Sequence, residues 1–495
     1  MKLYDILKGL DYELLSGDID INISDIAYDS RKVKSGSMFI CRKGPISDGH
    51  EYIKSAIESG AVAIMIENVN AVANTVTGVT YIKVPNSRYA LAKTSDNFYE
   101  HTSGKMNITG ITGTAGKTTV TYMVKSIYEQ AGIKSGLIGT IQNMAGNEIL
   151  YSNNTTPESY DLQLLFAKML DVNIDNCVME VSSQGLYLNR VDCVDYEVGV
   201  FTNLSHDHIG PDEHSSMEDY ANQKAKLFNM CKKGLFNIDS EYAEHMMKNA
   251  SCEKYTFGIE NKADFFAKNI INTMNGVTFT LDCKYGTADI ELSTAGKFSV
   301  YNALAAIGAS LLSGKVTLEQ AKDGVKNVKV PGRAEQLETR GDYSIMIDFA
   351  HNPESFKNII TLVREYAKGR IVFLFGCGGD KERPRELMGE VAGEYADFSI
   401  ITSDNPRTED PLSIILDIEE GIKKTKGKYI SIVDRREAIK YAIKNAQPKD
   451  VIILAGKGHE TYQIFKDKTI HFDEREVVTE IMEELRTEKL QEVCK

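Results

Sequence analysis

The sequence predicts an α/β protein organised as three domains on mostly parallel sheets, and three observations predict it. Asn107 to Thr119, NITGITGTAGKTT, reads as a short apolar strand, a glycine turn and the start of a helix. In the last third, four apolar strands each close on a polar loop bearing glycine or proline, with helical stretches between them, which is the pattern of a parallel sheet. A chain of 495 residues, 42% hydrophobic and 26% charged, is ordinary for globular protein and long enough for several domains of ~100–200 residues.

The first domain, residues 1–103, alternates short strands and helices. Ile26 to Tyr28 leads into Asp29-Ser30-Arg31, which reads as a turn that caps itself or as a ligand contact. Ser37 to Cys41 is a strand followed by a loop with Gly44, Asp48 and Gly49. A helix from Tyr52 to Ser59 stops at Gly60, Ala61 to Ile66 is a further strand, and a helix after Arg88 runs through Tyr99. His101 to Lys105 reads as a polar linker.

The second domain, 104–330, opens on the glycine turn. Val120, Met123, Val124, Ile127 and Ala131 fall at helical spacing, with Gly132 as the stop. Gly113 to Thr119 is a phosphate loop. Its glycines let backbone N–H groups close on phosphate oxygens, Lys117 adds a positive charge, and the Thr118 hydroxyl can hold Mg²⁺. Ile111 stands where the strict motif has its first glycine, so the loop is a compact form. A strand Cys177–Val181 carries Glu180 at its carboxyl end, a position suited to Mg²⁺ or to water positioning. A strand Val198–Leu204 ends in Ser205-His206-Asp207-His208, a polar loop or, with His214, a metal-binding group. Asn302 is expected to open the alanine-rich helix Ala303–Leu312, with a capping role as the simplest reading.

The third domain, 331–495, begins at Pro331-Gly332-Arg333. Its strands Ser344–Asp348, Arg370–Phe375, Phe398–Thr402 and Val451–Ala455 run into Phe349–Pro353, Gly376–Asp380, Ser403–Arg407 and Gly456–Glu460. Four such loops at the carboxyl ends of parallel strands describe one binding crevice.

Composition narrows the function classes. A net charge of −13 argues against coating nucleic acid, although a local basic pocket can still take anionic ligands. No apolar run approaches the ~20 residues that span a bilayer. The N-terminus, with acids early and no cleavage site, is not a secretory signal. The eight cysteines lie scattered without a CxxC pair and read as reduced thiols, so a cytoplasmic protein is expected.

The ordered set GTAGKTT (113–119), TTP (155–157), EVSSQGL (180–186), FTNL (201–204), YANQKAKLF (220–228), PGRAE (331–335), DFAHNP (348–353), GGDKE (378–382), DNPR (404–407) and GKGHE (456–460) resembles the Mur ligases of peptidoglycan synthesis over essentially the whole chain. The likeness is to members that add a diamino acid to UDP-N-acetylmuramoyl-L-alanyl-D-glutamate. It implies a central P-loop ATPase-like parallel sheet, a C-terminal Rossmann-like α/β domain that binds the diamino acid, and a small N-terminal α/β domain that binds UDP. It further implies ATP and Mg²⁺, an acyl-phosphate intermediate, no nucleic-acid partner, no membrane insertion and a monomer.

Carried over by position, the resemblance makes Gly113, Thr114, Ala115, Gly116, Lys117, Thr118 and Thr119 the ATP phosphate site, with Asn302, Arg333, Asp348 and His351 as further nucleotide contacts. Lys117, Glu180, His208 and Lys224 are the implied catalytic set. Thr118, Glu180, His208 and Lys224, the last as a carbamate, are the implied Mg²⁺ ligands. Ser30 with Pro45, Ile46 and Ser47 would meet the uridine end of the substrate. Asn154, Thr155, Thr156, Ser182 and Arg190 would meet the muramoyl dipeptide. Lys381, Asp404, Asn405, Pro406, Arg407, Gly456 and Glu460 would hold the diamino acid.

The chain departs from the family pattern at several points. Ala115 replaces an asparagine, Gln184 a histidine and Ser299 an asparagine, and Lys381 stands in place of an arginine. Gln184 and the stretch Gly210–His214 resemble lysine-adding members, whereas DNPR resembles those that add meso-diaminopimelate. Meso-diaminopimelate is the expected substrate and L-lysine the alternative. The readings from a different class are a P-loop ATPase that makes no amide and a non-catalytic paralogue that binds UDP-peptides.

Overall fold

The computed structural model describes residues 1–44, 47–71, 76–146, 148–150, 154–207, 209–210, 213–273, 276–380 and 384–493. The chain divides into two compact units. One comprises Met1–Asn269, Phe279–Ile290 and Val300–Lys326; the other comprises Ile270–Thr278, Glu291–Ser299 and Asn327–Lys495.

The N-terminal sheet holds β1 (Glu13–Ser16), β2 (Asp25–Ala27), β3 (Ser37–Ile40), β4 (Ala63–Ile66) and β5 (Thr80–Lys83) in the order β1-β5-β4-β3-β2, parallel except for β1 against β5. β3 and β4 are buried along their whole length, as expected of parallel strands covered on both faces. Asp29 does cap its own turn, accepting from the Arg31 amide at 3.0 Å and pairing with the Arg31 guanidinium at 2.7 Å.

The central sheet is built on β6 (Asn107–Thr112), β7 (Gly136–Ile138), β8 (Asn143–Ala145), β9 (Glu148–Leu150), β10 (Asn176–Glu180), β11 (Tyr196–Phe201), β12 (Cys231–Asn237), β13 (Glu253–Gly258), β14 (Phe265–Thr273), β15 (Gly276–Cys283) and β16 (Gly286–Leu292). Their order is β16-β15-β14-β13-β12-β11-β6-β10-β7-β8-β9. β6 lies between β10 and β11, parallel to both, so the carboxyl ends of all three strands open on the same edge. Ligands of open α/β sheets bind at that edge.

Two expectations are corrected here. The segment His101–Lys105 is no exposed linker: Thr102 and Ser103 are buried in a 3₁₀ turn, where Thr102 bonds Gln163 at 2.5 Å and Ser103 bonds the Cys193 carbonyl at 3.3 Å. Small hydroxyls look like linker in sequence but satisfy themselves when buried. Asn302 does not open its helix, which runs Lys297–Leu312, because the turn is made earlier, where Gly296 takes φ +97°. The seven described cysteines are free, and Cys494 lies outside the described residues.

The C-terminal sheet holds β17 (Glu335–Leu337), β18 (Ser344–Asp348), β19 (Ile371–Phe375), β20 (Phe398–Ile401), β21 (Tyr429–Ser431) and β22 (Val451–Ala455), ordered β17-β18-β22-β19-β20-β21 and parallel except for β17. The four strands read from the sequence are its centre. A wholly buried Arg435–Glu474 pair (2.7 Å) ties two of their ends together: the guanidinium also donates to the Ala455 carbonyl at 2.8 Å and the Ser403 carbonyl at 3.3 Å. The backbone beyond β18 and β22 is packed by an aromatic group in which Phe349 meets His459 at 5.0 Å and His351 at 4.8 Å, with the Arg333 guanidinium 4.6 Å from the Phe349 ring. Burial, then the charges of Arg333, Arg475 and Lys457, lower the His459 pKa to about 4.

Arg435→Met strands the Glu474 carboxylate in the core and should cost about 3–5 kcal/mol in urea unfolding, and Arg435→Met with Glu474→Leu should recover much of that loss. His459 is neutral in both states above pH 6.5, but below it the unfolded chain takes the proton first. From pH 6.5 down to about 4 this group should therefore remove up to about 3 kcal/mol of stability. His459→Phe should flatten that part of the stability–pH profile.

Candidate active site

The phosphate loop lies between β6 and the helix Lys117–Gln130. Gly113 takes φ +150° and a Cβ there would stand 1.9 Å from Thr202 Oγ1; Gly116 takes φ +86° and a Cβ there would stand 2.6 Å from Asn302 Oδ1. Only glycine fits either place. Lys117 Nζ donates back to the Gly113 and Thr114 carbonyls at 2.8 and 2.9 Å, which curls the lysine over the loop. The end of β11 braces it: Asn203 Oδ1 accepts from the Ala115 amide at 2.9 Å, and Thr202 Oγ1 donates to the Ala115 carbonyl at 2.7 Å. Asn203 thus holds the loop from outside at the position where the family asparagine is absent.

Glu180, buried at the end of β10, joins this loop to its neighbours. One carboxylate oxygen accepts from Thr118 Oγ1 at 3.0 Å and from Thr140 Oγ1 at 3.0 Å, and the other accepts from the Thr140 amide at 2.8 Å. Its backbone carbonyl accepts from Thr156 Oγ1 at 2.9 Å, and that hydroxyl accepts in turn from the Ser182 amide at 2.9 Å. Thr155 Oγ1 lies 3.1 Å from Thr140 Oγ1, and Arg190 donates to the Thr156 carbonyl at 3.1 Å. The structure therefore brings Thr118, Glu180, Thr155, Thr156, Ser182 and Arg190 into one continuous network, next in the chain to Lys117. Asn154 is half-buried beside it. Thr140 escaped the sequence reading; its signal was the GLIGT stretch, a short strand ending on a hydroxyl.

Lys224 is 1% exposed and donates to the Gly113 carbonyl at 2.9 Å, the same carbonyl that Lys117 uses. Burial first, then the charge of Lys117, push its pKa well below the ordinary lysine value, with Asp207 opposing weakly. Two ammonium groups on one carbonyl in a dry site would repel, so the site disfavours the charged form of Lys224. His208, Pro45, Ile46 and Lys381 lie outside the described residues. Ser30 sits half-buried in its 3₁₀ turn, and Ser47 is exposed, its carbonyl accepting from the Gly44 amide at 2.9 Å.

In the second unit, Asp348 accepts from the Ala334 and Ala350 amides at 2.8 Å each, and burial raises its pKa against the pull of Arg333. His351 Nδ1 lies 2.9 Å from the Phe349 carbonyl. Arg333, Asp348 and His351 are thus neighbours. Asp404, Asn405 and Pro406 are buried, and Arg407, in the left-handed region at φ +52°, donates to the Gly379 and Asn405 carbonyls at 3.0 and 3.3 Å. A cavity of about 540 Å³ is lined by Pro406 to Pro411 and Phe465 to Lys468. Glu460 accepts from Asn405 Nδ2 at 2.9 Å and from the wholly buried Lys457 at 3.0 Å, while Gly456 lies against Asp404. Lys457, inside GKGHE, is a second residue that spacing alone did not single out.

Family models match most of the chain: Mur ligase family, catalytic domain, over residues 22–99; Mur ligase middle domain, over 111–310; and Mur ligase, glutamate ligase domain, over 332–458. A protein of Caldanaerobacter subterraneus subsp. tengcongensis named UDP-N-acetylmuramoyl-L-alanyl-D-glutamate–2,6-diaminopimelate ligase is 49% identical across 98% of this chain and 99% of its own. The Clostridium tetani protein of that name is 44% identical across 98% and 100%. A solved structure of a ligase of the same name matches with a TM-score of 0.68 at 28% identity, covering 98% of this chain and 99% of the other. A braced phosphate loop joined through one carboxylate to a second pocket, in a chain that aligns end to end with these proteins, has one reading: the chain belongs to the Mur ligase family and is an ATP-dependent ligase.

Proposed function

We propose that this chain joins meso-diaminopimelate to UDP-N-acetylmuramoyl-L-alanyl-D-glutamate in peptidoglycan synthesis, with ATP as the phosphoryl donor. The observation that carries the proposal is the Glu180 network, which connects the phosphate loop to the pocket of Thr155, Thr156, Ser182 and Arg190. The names of the relatives support the choice of substrates.

A carboxylate is a poor electrophile. In the proposed reaction the substrate's free carboxylate oxygen attacks the γ-phosphorus, the bond to ADP breaks, and an acyl phosphate forms. The diamino acid's amine then attacks the acyl carbon, inorganic phosphate leaves, and the nitrogen loses a proton. Positioning and charge neutralisation supply most of the catalysis of phosphoryl transfer. Gly113 to Thr119 would cradle the phosphates, and Lys117 would swing from its two carbonyls onto them. The Thr118 hydroxyl and the Glu180 carboxylate, already in contact, are oxygen donors suited to Mg²⁺. With His208 and a carbamate on Lys224 they would hold that ion, which when bound neutralises phosphate charge. Carbamylation requires the neutral amine, the form that burial of Lys224 favours. Asn302, Arg333, Asp348 and His351 are proposed nucleotide contacts, and Ser30 with residues 45–47 the uridine contacts.

Arg407 would make a planar two-point contact to the distal carboxylate that diaminopimelate has and lysine lacks, with Glu460 receiving the adjacent ammonium. Lys381, Asp404, Asn405, Pro406 and Gly456 complete that proposed pocket. We retain residues 1–103, 104–330 and 331–495 as the domains for the UDP-sugar, ATP and the diamino acid, in a cytoplasmic monomer. No helix among the described residues is long and apolar enough to cross a membrane.

Purified protein given ATP, the UDP-dipeptide and a panel of diamino acids should yield the diaminopimelate adduct by mass; a lysine adduct in its place, or no adduct, overturns the assignment. Arg407→Ala should raise the KM for diaminopimelate about ten- to a hundredfold, as loss of a charged hydrogen-bonded contact implies. Lys224→Ala should abolish ligation while the UDP-dipeptide still binds in calorimetry, and an active variant would remove Lys224 from the mechanism.

A further inference from the structure

Near the start of the helix Lys297–Leu312, the Tyr301 hydroxyl donates to Asp239 Oδ2 at 2.9 Å, across 62 positions of the chain. The next residue, Asn302, is buried, and its Oδ1 stands 2.6 Å from where a Cβ on Gly116 would lie. The Asn302 amide thus rests on the second glycine of the phosphate loop. Asp239, just beyond the carboxyl end of β12, is itself held. Its carboxylate accepts from the Ile259, Glu260 and Asn261 amides at 2.7, 3.0 and 2.8 Å and from Asn261 Nδ2 at 2.9 Å. Burial works against its charge, but those amides outweigh it and lower its pKa. Burial first, then the bond to Asp239, raise the pKa of Tyr301, so the phenol keeps the proton it donates. The Asp239 amide donates to Asn237 Oδ1 at 3.1 Å, Asn237 Nδ2 donates to the Thr202 carbonyl at 2.8 Å, and Thr202 Oγ1 donates to the Ala115 carbonyl at 2.7 Å. These contacts close a circuit. It runs from Ala115 through Thr202, Asn237 and Asp239 to Tyr301, then along one peptide to Asn302 and back to Gly116. Asn237, Asp239 and Tyr301 have no role in the reading given above.

We propose that Tyr301, seated on Asp239, is a positioning residue for ATP: it fixes the roll of its helix so that the Asn302 amide is held at the phosphate loop in the place where the nucleotide meets it. The inference rests on the reading of Asn302 as a nucleotide contact and extends it to the pair that sets that contact. Successive residues of a helix point about 100° apart around its axis, so the two side chains reach different neighbours. One anchors the turn and the other is presented by it. A hydrogen bond to a charged acceptor is the stronger kind. This carboxylate cannot turn to follow a rolling helix, because residues 259–261 hold both its oxygens. A binding group works only when held within about 0.5 Å of its productive place. Without the Tyr301 hydroxyl the turn is free to roll, and the Asn302 amide is ordered only when the nucleotide arrives, at a cost in affinity.

The test is calorimetric titration of the full chain with Mg²⁺ and the non-hydrolysable β,γ-imido analogue of ATP, for wild type, Tyr301→Phe, Asn302→Ala and the double variant. Tyr301→Phe keeps the ring and removes one oxygen. It should weaken the analogue about tenfold, the order expected of one hydrogen bond to a charged group, and leave the UDP-dipeptide within about twofold. Asn302→Ala should weaken the analogue at least as much. The double variant should stay within about twofold of Asn302→Ala alone, because a residue that acts through another adds nothing once that other is gone. Losses that multiply in the double variant, unchanged analogue binding in Tyr301→Phe, or an equal loss for the UDP-dipeptide would each mean that Tyr301 serves the fold at large. Any of these overturns the positioning role alone. Unchanged analogue binding in Asn302→Ala overturns the reading of Asn302 as a nucleotide contact, and the positioning role with it.

Discussion

The first unit is organised by a single carboxylate. Glu180 stands at the carboxyl end of the strand beside β6, and three hydrogen bonds from Thr118 and Thr140 hold its two oxygens in a buried place. A buried carboxylate survives only when its acceptor capacity is met by well-aligned donors. The same requirement fixes the helix after the phosphate loop, through Thr118, and the start of the second pocket, through the Glu180 carbonyl and Thr156. Loop, strand and pocket are therefore positioned by one set of satisfied polar atoms. These atoms are held in place by the protein's own hydrogen bonds, and such preorganisation is the condition for electrostatic catalysis.

Lys224 is the complementary constraint. Its amine reaches the carbonyl of Gly113, at the first turn of the loop, and it shares that carbonyl with Lys117. The cost of burying a second charge beside Lys117 pushes its pKa well below the ordinary lysine value. The fold thus puts two chemically identical side chains in different settings, one half-buried over the loop and one locked in a dry site. Burial accounts for the difference, because Lys117 remains partly open to solvent while Lys224 does not.

The second unit solves a different problem, that of holding several loops in register at the ends of parallel strands. Arg435 does so from below, with one guanidinium spanning the carbonyls of Ser403 and Ala455 and neutralised by Glu474. Above it, Asn405, Lys457 and Glu460 bond to one another, so the DNPR and GKGHE loops share one polar network. Arg407, at φ +52°, is held by the Gly379 and Asn405 backbone carbonyls on which its guanidinium rests.

Much of this was legible in the sequence. The strand–glycine–helix signal around Gly113, the carboxylate at a strand end at Glu180, and four apolar strands with polar caps are local patterns, and local patterns follow from backbone sterics and hydrophobic period. They determined the α/β class, the parallel sheets and the loops that would carry chemistry. Tertiary structure alone decided which of those loops meet. Thr140 joins Glu180, Lys224 reaches Gly113 across 111 positions, and Tyr301 reaches Asp239 across 62. The turn at Thr102 and Ser103 and the early start of the helix at Lys297 were missed for the same reason. Whether a hydroxyl, an amine or a guanidinium is buried and paired depends on neighbours distant in the chain, and no period or spacing records them.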